Sequence, residues 1–181
     1  MLWGLNMTYE TQRLILRRWN PEDHISFSKM NADPRVMQYF PSTLSKDESL
    51  VLVQKIEESF EKNNFGFWAV ERKDNREFIG FVGLNRPNFQ ADFTPCVEIG
   101  WRISSENWNR GYATEAALKA MEIGFDTFNL KKIYAFASKR NLASIRIMQK
   151  IGMEYVKDFL HPAIDAQSSL NPLVLYQKES S

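Results

Sequence analysis

Apolar residues along this chain recur at two spacings, and the switches between them mark out the elements. Every second position is apolar over short runs bounded by Gly, Pro, Asn or Asp, as strands require. Elsewhere the repeat is three and four, as in a helix with one buried face. Gln12–Trp19 reads as the first strand. Asn20-Pro21-Glu22-Asp23 then opens a helix, with Asn as N-cap, Pro at the first position and acids in the first turn, and Asp33-Pro34 ends it. Ser45-Lys-Asp-Glu48 is a capping box. Leu50, Val53, Ile56 and Phe60 keep helical spacing behind it, which predicts a second helix over roughly 46–62.

Phe65–Lys73 and Glu77–Asn85 alternate as strands around the turn Asp74-Asn-Arg76. Cys96–Ser104 is the next strand. In the helix that follows, Ala113, Ala116, Ala117, Ala120, Met121, Gly124, Phe125 and Phe128 form one stripe, small enough at first to lie close on a sheet. Lys131–Lys139 is a strand, and Asn141 begins a helix carrying Leu142, Ile145, Met148 and Ile151, stopped by Gly152. Met153–Leu160 and Leu173–Lys178 are the last strands, separated by a loop holding His161-Pro162. The pattern predicts an α/β (α+β) fold: seven strands in a sheet with about four helices on its faces. It shows no repeat and no linker, so residues 11–179 are expected to form one domain behind an N-terminal extension, 1–10.

Composition narrows the function classes. With 23 Lys and Arg against 22 Asp and Glu, the chain offers no broad basic face for nucleic acid. The pairs Arg17-Arg18, Lys131-Lys132 and Lys139-Arg140 are small for that purpose, and Arg17-Arg18 reads as a solvated strand end. No apolar run is long enough to span a membrane, and the first six residues lack the pattern of a signal peptide; Met7 offers an alternative start. One cysteine and two histidines leave little from which to build a disulfide or a metal site, so no metal is expected and a reducing cytoplasmic setting fits. Aromatic residues make up 13%, mostly as core, with a minority available to line a groove.

The chemistry concentrates between Cys96 and Ala116. A strand runs into a short polar loop with one glycine, and the loop opens into a helix. The first amides of a helix have no internal partners, and its dipole adds positive potential there, so this arrangement holds anions without a metal. Gly111 lets the backbone approach a phosphate, Tyr112, Ala113 and Thr114 present amides, and Arg110 adds a charge. Alternation places Cys96, Glu98, Gly100 and Arg102 on one strand face. A carboxylate on a central strand needs a partner, water or a cleft. Glu98 is therefore a candidate general base, with an ion pair to Arg102 or a ligand-orienting role as the alternatives. Cys96 reads as a small buried hydrophobe, and His161 as a loop residue that could reach an acceptor.

Three segments resemble the GNAT N-acetyltransferase superfamily, in particular the branch with ribosomal-protein alanine and serine N-acetyltransferases. They are Val97-Glu-Ile-Gly-Trp101, Trp108-Asn-Arg-Gly-Tyr-Ala-Thr-Glu-Ala116 and Asn141-Leu-Ala-Ser-Ile-Arg-Ile-Met-Gln-Lys-Ile-Gly-Met153. The resemblance implies a mixed, splayed sheet with acetyl-CoA as co-substrate between the fourth and fifth predicted strands. It implies that Trp108, Asn109, Arg110, Gly111, Tyr112, Ala113 and Thr114 hold the pyrophosphate. Trp101, Arg102 and Ile103 then align the pantetheine through their backbone, and Asn141 and Ser144 contact it from the last predicted helix. Met148 stands where many members have a tyrosine that protonates the leaving thiolate, which leaves water, Tyr134 or Ser138 for that task. The implied activity is direct acetyl transfer to a primary amine, on a protein or peptide N-terminus or a small molecule, by a monomer or homodimer. The alternative is a catalytically silent acyl-CoA-binding module.

Overall fold

The chain runs β1 (Tyr9–Glu10), β2 (Leu14–Arg17), α1 (Asp23–Ala32), α2 (Lys46–Asn63), β3 (Phe67–Arg72), β4 (Phe78–Asn85), β5 (Glu98–Ile103), α3 (Tyr112–Glu122), β6 (Lys132–Ser138), α4 (Leu142–Lys150), β7 (Glu154–Phe159) and β8 (Leu173–Glu179). This computed structural model describes residues 8–180; the predicted alternative start at Met7 and the residues before it lie outside that range. The strands form one sheet in the order β1-β2-β3-β4-β5-β6-β8-β7. Every neighbouring pair is antiparallel except β5 and β6.

That exception shapes the molecule. β4 and β5 pair along six positions, from Gly80↔Ile103 to Asn85↔Glu98, and β6 and β8 along seven. β5 and β6 share one bridge, Glu98↔Tyr134, with the Tyr134 amide donating to the Val97 carbonyl at 2.9 Å. Two parallel strands joined only there diverge beyond it, so the sheet splays from Glu98 toward Ile103. α3 follows β5 and α4 follows β6, so both helices begin at the splayed end.

The core explains the layers. The larger cluster joins Leu14, Leu16, Trp68, Val82, Leu84, Ile99 and Ile103 of the sheet to Ala116, Ala117, Ala120 and Met121 of α3 and to Met148 and Ile151 of α4. A smaller cluster around Phe27, Met30, Val36, Met37, Val53 and Phe81 packs α1 and the start of α2 on the other side of β4. Ile56 and Phe60 carry α2 into the larger cluster. Ser45 and Glu48 close the predicted capping box on α2, with bonds of 3.2 and 2.7 Å.

Three expectations need correction. The sheet has eight strands among the described residues, because Tyr9–Glu10 pairs with β2 in a run too short for periodicity to register. α1 begins at Asp23, not after an Asn20 cap. The Asp23 carboxylate instead accepts the Asn20 amide at 2.8 Å and the Arg17 guanidinium at 2.7 and 2.9 Å, which holds residues 20–22 in a turn. Arg17 and Arg18 are not a solvated strand end. Arg17 is also paired with buried Glu71 at 2.7 Å, and Arg18 reaches Glu57 and Glu61 on α2. Both cations are thereby committed to internal partners. Among the described residues no helix is long and apolar enough to cross a membrane.

Candidate active site

The loop between β5 and α3 is built to leave amides free. After a 3₁₀ turn at Ser105–Asn107, Asn109 and Gly111 both take left-handed backbone angles, φ 59° and 80°. Alternating conformations of this kind turn successive N–H groups toward a common point. Gly111 caps α3 with no side-chain hydrogen bond. Among the described residues, no hydrogen bond is donated by a backbone amide of residues 109–114. The predicted anion site is therefore a run of open donors, with Arg110 exposed beside it. Trp108 contributes no side-chain donor: its indole N–H bonds the Ile103 carbonyl at 2.7 Å and pins the loop to the end of β5.

Arg13 holds this loop, and local sequence pattern gave no sign of it. From the bend just before β2 it donates to the Arg110 carbonyl at 3.0 Å and lies over the Tyr112 ring at 4.6 Å. Its Nε donates to Glu115 at 2.7 Å, while Thr11 Oγ1 donates to the same carboxylate at 2.6 Å. Burial alone would raise the Glu115 carboxyl, but these bonds hold it below its ordinary value. An anion arriving at the helix start meets an acid already neutralised by Arg13.

The open edge of β5 follows from strand geometry. The Ser104 amide donates to Ile79 on β4, at 2.9 Å. In an antiparallel pair such bonds fall on every second residue, so the amides of Arg102 and Gly100 also face β4. Those of Trp101 and Ile103 face the other way, into the gap where β6 has diverged. Arg102 thus departs from the expected backbone set. Its side chain donates to the buried Asn31 of α1 at 2.7 Å and lies over Phe40 at 4.3 Å. Asn31 in turn bonds Ser49 of α2 at 3.0 Å. Burial lowers the Arg102 guanidinium to about 10. It makes no ion pair with Glu98, which removes the structural alternative for that carboxylate.

Glu98 sits at the bridge where the gap begins. Asn85, opposite it on β4, donates to Oε1 at 2.8 Å. Burial pushes the carboxyl up to about 7 against that single stabilising bond, and among the described residues no cation is paired with it. A carboxylate that exchanges its proton near neutral pH suits general-base work. Asn85 was not singled out in the sequence; its one clue is polarity at the end of the apolar run Phe78–Leu84. Cys96 behaves as predicted: burial, with the Glu98 charge adding to it, pushes the thiol up to about 11, far from a nucleophilic thiolate.

The second wall comes from β6 and α4. Asn141 caps α4 through its side chain, accepting the Ser144 amide at 3.1 Å. Its amide nitrogen and the partly covered Ser144 remain at the splayed end. Met148 is fully buried in the core, and Ser138 is also buried, its oxygen facing the Arg140 amide.

Comparison with known proteins adds the context. A family profile described as "Acetyltransferase (GNAT) domain" matches residues 13–154. The uncharacterized N-acetyltransferase YnaD of Bacillus subtilis (strain 168) is 31% identical over 148 residues, covering 81% of this chain and 82% of that protein. An acetyltransferase (GNAT family) from Bacillus anthracis superposes with a TM-score of 0.80 at 24% identity, covering 96% of this chain and 98% of that one. A ribosomal L7/L12 alpha-N-protein acetyltransferase in complex with coenzyme A shares the fold, with a TM-score of 0.77 at 11% identity and coverage of 96% and 98%.

Proposed function

The chain belongs to the GNAT acetyltransferase family, and from that premise we propose that it transfers the acetyl group of acetyl-CoA directly to a primary amine within a ternary complex, with Glu98 as general base. The observation that carries this reading is the single bridge at Glu98. It opens the sheet at one point, with the base at the apex, unpaired amides along one edge and the uncapped helix start at the far end.

Acetyl-CoA fits the donors present. The amides of residues 109–114, together with Arg110, face where a diphosphate would lie. The amides of Trp101 and Ile103 continue the line toward Glu98 and would hold the pantetheine, with Asn141 and Ser144 opposite. A thioester held there presents its carbonyl to fixed dipoles and its carbon to an incoming amine. The amine nitrogen forms a bond to the carbonyl carbon, the carbon–sulfur bond breaks, and Glu98 takes the proton lost by nitrogen. The thiolate takes its proton from water or from the Tyr134 hydroxyl. An α-amino group, with pKa about 7.7–8.0, is matched to such a base far better than a lysine at about 10.4.

Calorimetric titration with acetyl-CoA tests the first half; absence of binding ends the reading. Arg13→Met is expected to weaken that binding about tenfold, because it removes a charge-assisted clamp on the phosphate loop. An unchanged affinity shows that the loop holds its shape without Arg13. Burial of Met148 at the tyrosine position favours the rival, a silent acyl-CoA-binding module. Thiol release across an amine and peptide panel decides between them.

A further inference from the structure

Six rings stand together outside both core clusters: Phe89, Phe93, Tyr134, Phe136, Phe159 and His161. They come from the loop after β4, from β6, and from the end of β7 with the loop that follows. Phe89 lies 4.4 Å from His161 and 5.5 Å from Phe136, Phe93 5.0 Å from Phe159, and Phe136 5.9 Å from Phe159. All six are partly covered, none buried and none exposed, so together they make a partly accessible aromatic wall. Aromatic rings left partly accessible beside a catalytic group are available to line a ligand site.

Its position gives it a use. Tyr134 is the bridge partner of Glu98, so the two side chains leave the sheet on the same side. Phe93 reaches the Tyr134 ring at 5.8 Å, which brings the wall up to the carboxylate. Two lysines lie over its rings, and the carboxylates on its own elements, Asp92 and Asp158, are paired, while Asp165 in the loop after β7 is exposed and, among the described residues, holds only the Gln167 amide. Lys157 lies 6.0 Å from the Phe93 ring and holds Asp92; Lys132 lies 5.9 Å from the Tyr134 ring. Asp158 is tied to Lys139 and Tyr155. Burial holds the His161 imidazole below its ordinary value, which favours the uncharged ring, and its Nδ1 accepts the Ala163 amide at 3.2 Å. The wall therefore supplies faces for an apolar ring, and the carboxylates nearest it in sequence on β7 and the loop after β4 are already engaged by lysines.

Resting on the transferase reading above, we propose that the acceptor is a monoamine whose nitrogen lies one or two carbons from an aromatic ring, seated on the Phe89–Phe136–His161 wall with its amine at Glu98. Two sources carry that chemistry: a free aralkylamine and a peptide whose first residue is aromatic. Burying one ring is expected to favour such acceptors over ring-free ones by about tenfold or more in kcat/KM.

The experiment compares 2-phenylethylamine, a tetrapeptide beginning with Phe, one beginning with Gly, ethylamine and spermidine. Each is assayed for thiol release from acetyl-CoA and, separately, for calorimetric binding to the protein saturated with coenzyme A. Preference for 2-phenylethylamine or the Phe peptide supports the proposal and identifies the source. Equal or better use of ethylamine or spermidine overturns it while leaving acetyl transfer standing. Ring-selective binding with no thiol release from any amine upholds the subsite and overturns the transferase reading. Phe136→Leu and Phe89→Leu are expected to raise KM for the ring-bearing acceptor several-fold with KM for acetyl-CoA unchanged. Unchanged acceptor KM in both overturns the assignment of the wall.

Discussion

Glu98→Gln is expected to lower kcat/KM for amine acetylation by about 10²-fold, the low end of what a positioned base contributes, since an α-amino acceptor is partly deprotonated at neutral pH. The same substitution is expected to leave coenzyme A affinity unchanged, because no carboxylate contacts the phosphate loop's amides. The wild-type rate should rise with pH through about 7, where Glu98 loses its proton, and that limb should vanish in the variant. Stability should move the opposite way. The folded carboxyl holds its proton up to about 7, against 4.5 for an unperturbed glutamate. Between those values the folded state keeps a proton that the unfolded chain has released, so stability falls as pH rises through this window. Gln carries no charge to bury and still accepts from Asn85. At pH 8 the variant should be more stable than wild type by on the order of 2 kcal/mol, and at pH 4 nearly equal to it. A variant with wild-type rate, or one with no pH-dependent gain in melting temperature, removes Glu98 as an unpaired buried base.

Gly80→Ala should produce a large loss of stability. Gly80 lies opposite Ile103 where β3 and β4 shift register, with φ 144°, a conformation side chains avoid. A Cβ there would stand 2.1 Å from the Arg102 carbonyl oxygen, in the backbone of β5 itself. Nothing flexible can yield, so β5 must move or unpair. The expected cost is about 4 kcal/mol, a fall in melting temperature of roughly 8–16 °C for a domain of this size. Whatever folds should also bind coenzyme A poorly, because displacing β5 shifts the Trp101 and Ile103 amides. A melting temperature within about 3 °C of wild type would show that β5 is not held this tightly.

Much of this was legible in local pattern. The strand–loop–helix from Glu98 to Ala117 and the stripe of α3 are written in consecutive residues, and alternation alone places Glu98 and Arg102 on one face. What stayed hidden depends on long-range contact. Arg13 and Glu115 are separated by 102 positions, and no spacing rule joins the approach to β2 to a helix six elements further on. Arg102 could be assigned a face but not its partner, since Asn31 reads only as one polar residue near the end of α1. The Arg17–Asp23–Glu71 group hides for the same reason: three ordinary surface residues become a buried unit once β2, α1 and β3 meet. Asn109 carries a left-handed angle that sequence permits in Asn but does not announce. The aromatic wall was foreseen only as an unplaced minority, because its rings come from segments far apart along the chain.

The turning of the β5 amides leaves a signature that deuterium should read residue by residue. Gly100 and Arg102 are locked to β4 and should exchange slowly, near the rate of global opening. Trp101 and Ile103, between and beside them, should exchange orders of magnitude faster in the free protein and slow once coenzyme A is added. A sawtooth of protection within one six-residue strand, flattened by the ligand, would record the binding groove in the main chain alone.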